Sequence, residues 1–374
     1  MQTGLDRLSE EASLVRGARV GLLAHPASVT REMVHVSDVL EALAVRPQLI
    51  FGPEHGYGGE AQDMIGVADA RDVRGIPVRS LYGASTDDLV PRPDELGAID
   101  LLVIDLQDVG ARYYTFVWTA VLAARACAKA GVRVLVLDRP NPIGCEAASI
   151  EGRPQKPGYL SFVGLEAIPV RHARTLGEIV TWRATEEGFA DAITVLGVRG
   201  LDRDAHATSW DRAFVMPSPN MPTYETALVY PGGCLLEGTN LSDGRGTTRP
   251  FEITGAPWID GVRLARELAA TGLPGFRPRP LTFRPTFHKH AATECGGVQI
   301  HVTDPRAFRP MATYLALIAL AQRQDPERFR FRTEKYEFVD DIPAMDLLTG
   351  DDEARIRILA GDEPKVIAQA IAGG

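Results

Sequence analysis

The residues most able to do chemistry fall in four short stretches, each placed where an apolar run turns polar. His25 follows ARVGLLA (18–24), and Glu54 and His55 follow Leu49–Phe51 inside the Gly-rich loop GPEHGYGGEAQ. Asp105, Gln107 and Asp108 end an apolar run in LLVIDLQDVGARYYTF (101–116), with Arg112, Tyr113 and Tyr114 just beyond. Asp138, Arg139 and Asn141 follow VRVLVL. Carboxylates beside amides, guanidiniums and phenols are the inventory of a carbohydrate-processing site. Glycosidic cleavage needs a protonated carboxyl at the leaving oxygen, and usually a second carboxylate to assist water or the oxocarbenium ion. Glu54 is the best acid candidate, because a Gly-Pro-Glu-His-Gly loop holds it and burial favours the neutral form of a carboxyl. Glu54, His55 and Asp105 also offer the oxygen and imidazole ligands of a metal site, the alternative reading. A structural reading competes with both: Asp105 and Asp108 cap the following helix, Arg112 pairs with one of them, and Asp138 pairs with Arg139.

Such residues need a scaffold that brings them to one edge. Apolar runs around 18–24, 49–51, 76–82, 101–105 and 132–138 alternate with helical patterns, which predicts βαβ units and a parallel sheet. Ligands in open α/β sheets bind outside the carboxyl ends of the strands, where the polar groups are concentrated. The pattern predicts a helix over 116–129 stopped by Gly131, and another over 175–187 with Thr175 as N-cap and Glu178 as its capping-box partner. A strand follows at 192–198. A chain of 374 residues implies two domains, and MPSPNMPT, with three prolines, marks the junction. The expected architecture is a Rossmann-like parallel-sheet domain over 1–222 and a smaller α/β domain over 223–374. The second domain opens with Tyr230–Glu252, read as an ordered loop contributed to the cleft, and continues with a helix at 261–270. A Pro-rich passage to Pro285, a strand at GVQIHVTD and a helix at 311–322 complete it.

Several function classes drop out. No GxGxxG follows the first strand and no P-loop, HExxH or GxSxG occurs, so no nucleotide or other cofactor is expected, and no metal in the leading reading. A net charge of −9 without basic runs argues against nucleic acid and anionic membrane surfaces. Four scattered cysteines fit reduced thiols. No run approaches the ~20 apolar residues of a membrane helix. The first residues lack the pattern of a signal peptide, which taken literally means cytoplasm; a chain already trimmed of an export signal would read the same.

The motifs FGPEHGYGG, DLQDVGARYYTF, VLDRPNPIG, SFVGLEAIPVRH, PSPNMPT and LLEGTNLSDGRGTTRPFEITGAPW together resemble the NamZ-type exo-β-N-acetylmuramidases. That resemblance implies a Rossmann-like catalytic domain with a smaller α/β domain closing one cleft. It also implies release of N-acetylmuramic acid (MurNAc) from the non-reducing ends of peptidoglycan fragments. It places catalytic carboxylates among Glu54, Asp105, Asp108 and Glu237, and substrate contacts at His55, Gln107, Arg112, Tyr113, Arg139, Asn141, His172, Asn240, Arg245 and Thr247. Two departures from the family pattern stand out: HART (172–175) replaces HGMT, and His25 stands where relatives carry asparagine. Arg245 or Arg112 is the expected partner of the lactyl carboxylate, since a planar guanidinium fits a carboxylate bidentately. The alternatives to hydrolysis of this sugar are non-catalytic binding of muropeptides and a metal-dependent hydrolase.

Overall fold

The computed structural model describes residues 1–373. The chain forms two compact units: Met1–Gly110 with Tyr114–Glu146 and Ala173–Pro222, and Ala111–Tyr113 with Ala147–His172 and Thr223–Gly374. The excursion 147–172 thus belongs to the second unit although it precedes the 222/223 boundary.

The first unit is built on seven strands: β1 (Val20–Ala24), β2 (Leu49–Gly52), β3 (Ala70–Arg71), β4 (Pro77–Ser80), β5 (Leu101–Asp105), β6 (Arg133–Leu137) and β7 (Ile193–Leu196). Their order in the sheet is β3-β4-β2-β1-β5-β6-β7. All neighbours are parallel except β3 against β4. Leaving out that short edge strand, the six parallel strands follow the doubly wound order 3-2-1-4-5-6, which reverses between β1 and β5. Leu22 sits opposite Ile50 on one side and Val103 on the other. β1 and β5 are buried at every position, as expected of strands covered on both faces. Leu22, Val103, Leu135 and Leu137 join Leu5, Leu8, Val36 and Leu40 in one apolar core. Each such side chain, fully buried, contributes about 1.5–3 kcal/mol.

The helices around this sheet obey local rules. Phe116–Lys129 ends just before Gly131, whose φ of 72° is the left-handed conformation glycine adopts freely. Leu176–Glu186 begins at Thr175, whose hydroxyl accepts from the Glu178 N–H while Glu178 returns the bond.

The second unit holds a three-stranded antiparallel sheet in the order β8-β10-β9, with β8 (Ile253–Ala256), β9 (Phe276–Phe283) and β10 (Cys295–Val302). The helix Gly261–Ala270 lies on it, and the largely buried helix Pro310–Gln324 packs with helices Tyr224–Gly233 and Pro364–Ala372. Two elements depart from expectation. The Pro-rich passage before Pro285 is a strand, tolerated because β9 lies at the sheet edge, where a missing N–H costs no ladder bond. The start of the expected loop at Tyr230 is helical through Gly238, with Pro231 inside the helix.

Candidate active site

In the first unit the polar ends of β1, β2, β5 and β6 gather at the carboxyl edge, around the reversal of strand order. His25, directly after β1, is fully buried. Its Nδ1 lies 3.2 Å from the Pro217 carbonyl and its Nε2 accepts the Gln107 N–H at 3.0 Å. Those bonds specify the neutral Nδ1–H tautomer. Burial, reinforced by the nearby charge of Arg139, pushes the imidazole down to about 3. His25 therefore pins the turn carrying Asp105, Gln107 and Asp108. The Gln107 amide donates to the carbonyls of Asp108 and Pro140, joining the β5 and β6 ends.

Asp105, with no exposed surface, takes a bidentate pair from Arg139 at 2.5 and 2.8 Å, and Arg139 also donates to the Val29 carbonyl. The expected pairing of Asp138 with the Arg139 side chain is thereby overturned. Asp138 instead accepts from the Thr175 hydroxyl (2.7 Å) and the Gly177 N–H (2.9 Å), at the start of the next helix. Burial lifts Asp138 to about 6. The capping role read for Asp105 and Asp108 is not what they do either. Asp108 accepts the Gly110 N–H at 2.8 Å inside its own turn, and the helix after it starts at Thr115. Asn141 accepts the Ile143 N–H and donates to the Arg174 carbonyl, bracing the DRPNP turn. A Cβ at Gly110 (φ 83°) would stand 2.5 Å from Asn141 Oδ1, so only glycine lets these two turns meet.

Glu54 follows β2 and is only 6% exposed. Its Oε1 accepts the Met64 N–H at 3.2 Å and its Oε2 the Thr115 hydroxyl at 2.7 Å. His55 bonds through Nδ1 to the Ala61 carbonyl at 2.8 Å. Both His55 (φ 70°) and Met64 (φ 59°) hold left-handed backbone, a cost that non-glycine residues carry mainly at functional sites. Phe116 stands between His25 and His55, with ring centroids 5.0 and 6.4 Å away. The buried Tyr114 hydroxyl, raised well above its ordinary value first by burial, is raised further by Asp108 and Glu54, so both carboxylates bear on it. Thus Glu54, His55, Asp105, Gln107, Asp108, Arg139 and Asn141 come together in one unit. They do not make the metal site of the alternative reading: among the described residues no three His, Cys, Asp or Glu form a group able to hold a metal ion.

The remaining predicted residues lie in the second unit. Arg112 is fully buried, and its guanidinium donates to the carbonyls of Arg153 (2.9 Å), Ile168 (2.8 Å) and Leu348 (2.6 Å). It clamps three chain segments and pairs with neither aspartate. Burial alone pushes it down to about 10. Tyr113 donates to the Pro231 carbonyl, and His172 is buried. Asn240 bonds the backbone of Arg328 and Arg330, and Thr247 donates to the Gly244 carbonyl. Glu237 accepts from Arg245 and from the Tyr336 hydroxyl, each at 2.7 Å. Burial acts to raise Glu237, but Arg245 and Tyr336 outweigh it and hold it below its ordinary value. Arg245 also pairs with Asp243 at 3.1 Å, and Lys289 and His288 lie 3.4 Å from that carboxylate. Neither arginine expected at a lactyl carboxylate offers a guanidinium without protein partners.

Thr115, Asp243, Lys289 and Tyr336 were not singled out from sequence. Thr115 carried a signal, a threonine at a strand-to-helix junction. Lys289 and Tyr336 carried none, since the carboxylates they meet are 46 or more positions away.

Among the described residues no helix is long and apolar enough to cross a membrane. Residues 20–225 match the family described as exo-β-N-acetylmuramidase NamZ, N-terminal, and residues 228–374 its C-terminal counterpart. The chain is 41% identical over 334 residues to the peptidoglycan β-N-acetylmuramidase NamZ of Bacillus subtilis (strain 168), covering 88% of this chain and 80% of that one. Crystal structures of two DUF1343 family proteins from Bacteroides fragilis NCTC 9343 superpose with TM-scores of 0.86 and 0.75. They are 28% and 26% identical, over 99% of this chain and 93% and 94% of theirs. With both halves matched in order, the chain belongs to the exo-β-N-acetylmuramidase NamZ family.

Proposed function

We propose that this protein hydrolyses the β-glycosidic bond of a terminal MurNAc residue at the non-reducing end of peptidoglycan fragments, with Glu54 as general acid. One observation carries the assignment of Glu54. Its carboxyl is buried at the carboxyl edge of the sheet and is held only by neutral donors, the Thr115 hydroxyl and the Met64 N–H. Protonating it therefore breaks no ion pair. Asp105 is committed to Arg139 and Glu237 to Arg245, so protonating either would forfeit an ion pair. Asp108, which bears with Glu54 on the Tyr114 hydroxyl, is the carboxylate we assign to assist water or the developing oxocarbenium ion. Family membership supports the sugar and the exo mode.

Hydrolysis of a chromogenic aryl β-MurNAc substrate, run beside its GlcNAc counterpart, tests the reading. Release from the MurNAc compound and little from the other is the expected result. Tight binding of MurNAc saccharides without turnover would instead make the protein a muropeptide-binding module.

A further inference from the structure

Thr115 occupies the N-cap position of the helix Phe116–Lys129 but makes no side-chain capping bond. Threonine at that position ordinarily accepts from an exposed helix N–H, a contact worth about 0.5–2 kcal/mol. Here its hydroxyl is turned to Glu54 Oε2, 2.7 Å away, and both residues are buried. The other oxygen of Glu54 faces the backbone N–H of Met64, a group that only donates. Oε1 is thus confined to accepting, and a proton on Glu54 has one place to reside, Oε2. A hydroxyl is the one partner that serves both states, because it donates to a carboxylate and accepts from a protonated carboxyl after rotating about its C–O bond.

We infer that Thr115 is a positioning residue that fixes the acidic proton of Glu54 on Oε2 and stabilises the carboxylate left when that proton departs. This rests on Glu54 being the general acid. Before reaction the Glu54 Oε2–H donates to Thr115 Oγ1. As the bond from the anomeric carbon to the glycosidic oxygen breaks, its electron pair stays on that oxygen, which takes the Oε2 proton. Thr115 then rotates and donates to the new carboxylate. Water supplies a hydroxyl to the anomeric carbon, and its remaining proton restores the acid.

Thr115→Val, near in shape but without the hydroxyl, tests the role beside Thr115→Ser, Glu54→Gln and the Glu54→Gln/Thr115→Val double variant. Thermal unfolding identifies folded variants, and Thr115→Ala replaces the valine if that one does not fold. On a MurNAc substrate with a poor leaving group, Thr115→Val is expected to lose about ten- to a hundredfold in kcat, the size of a hydrogen bond to a charged group. KM should change little. The pH–rate limb reporting the acid should move to higher pH, because the carboxylate has lost its donor. Thr115→Ser should restore both kcat and the pH profile. In the Glu54→Gln background the valine should cost nothing further, since Thr115 acts through Glu54. Wild-type kcat and pH profile in Thr115→Val would overturn the inference, as would failure of serine to rescue or multiplying losses in the double variant. If Glu54→Gln is itself fully active, the acid assignment fails and Thr115 has no acid to position; that outcome is read from the single variant alone.

Discussion

Glu54 in the first unit and Glu237 in the second are buried to the same degree, 6% and 7% exposed, yet their partners differ in kind. Glu54 meets a hydroxyl and a backbone N–H, whereas Glu237 meets Arg245 and the Tyr336 hydroxyl. Burial alone disfavours the charged form of both, so the partners decide what each carboxyl can do. A guanidinium in a poorly solvated site holds its glutamate as an anion, and protonation there would forfeit the ion pair. A hydroxyl follows the carboxyl through either state. The hydroxyl arrangement suits an acid that must lose and regain a proton, and the guanidinium arrangement an anion of fixed charge. Asp105, locked to Arg139 at the end of β5, shows that both arrangements coexist at the carboxyl edge of one sheet.

Substitutions that remove only charge or only a proton sharpen that contrast. Glu54→Gln should fold with near wild-type stability and lose about 10²–10⁴-fold in kcat, the usual contribution of general acid catalysis. Arg139→Met should act on stability instead. It leaves Asp105 buried without a cation, which costs about 3–5 kcal/mol in a denaturant titration. Glu237→Gln should cost less, about 1.5–3 kcal/mol, because Asp243 remains to neutralise Arg245. Equal stability losses in Glu54→Gln and Glu237→Gln would erase the distinction between the two sites.

The smallest effect concerns pH. Glu151, buried among the Met311 and Ala312 N–H groups at a helix start, is lifted by burial from 4.5 to about 7. The folded protein therefore holds this proton more tightly than the unfolded chain between those values. Stability contributed here is greatest below 4.5 and declines as pH rises towards 7. Glu151→Gln keeps an oxygen acceptor but removes the titration, so thermal unfolding across that window should lose up to one proton's worth of slope.

What could be read from sequence followed from local physics. The helix 116–129, its glycine stop and the Thr175–Glu178 capping box depend on residues within one or two turns, and all stand where the pattern put them. The strand ends were legible because buried parallel strands are apolar until they reach the edge. Partner choice was not legible. Arg139 is adjacent to Asp138 in sequence but pairs with Asp105, 34 positions away, because β5 and β6 lie side by side. Arg112 looked like a ligand-binding cation, yet its carbonyl partners reach as far as Leu348. The prolines of β9 argued against a strand, and only the sheet order shows that they fall on an edge.

The claim that Glu54 delivers the proton is tested most directly by leaving-group dependence. A series of aryl β-MurNAc substrates of decreasing phenol pKa would be hydrolysed by wild type and by Glu54→Gln. A good leaving group needs little protonation, so the deficit of the variant should shrink steadily along the series and nearly vanish for the most acidic phenol. A deficit that stays constant across the series would contradict the account and make Glu54 a base, a nucleophile or a binding group.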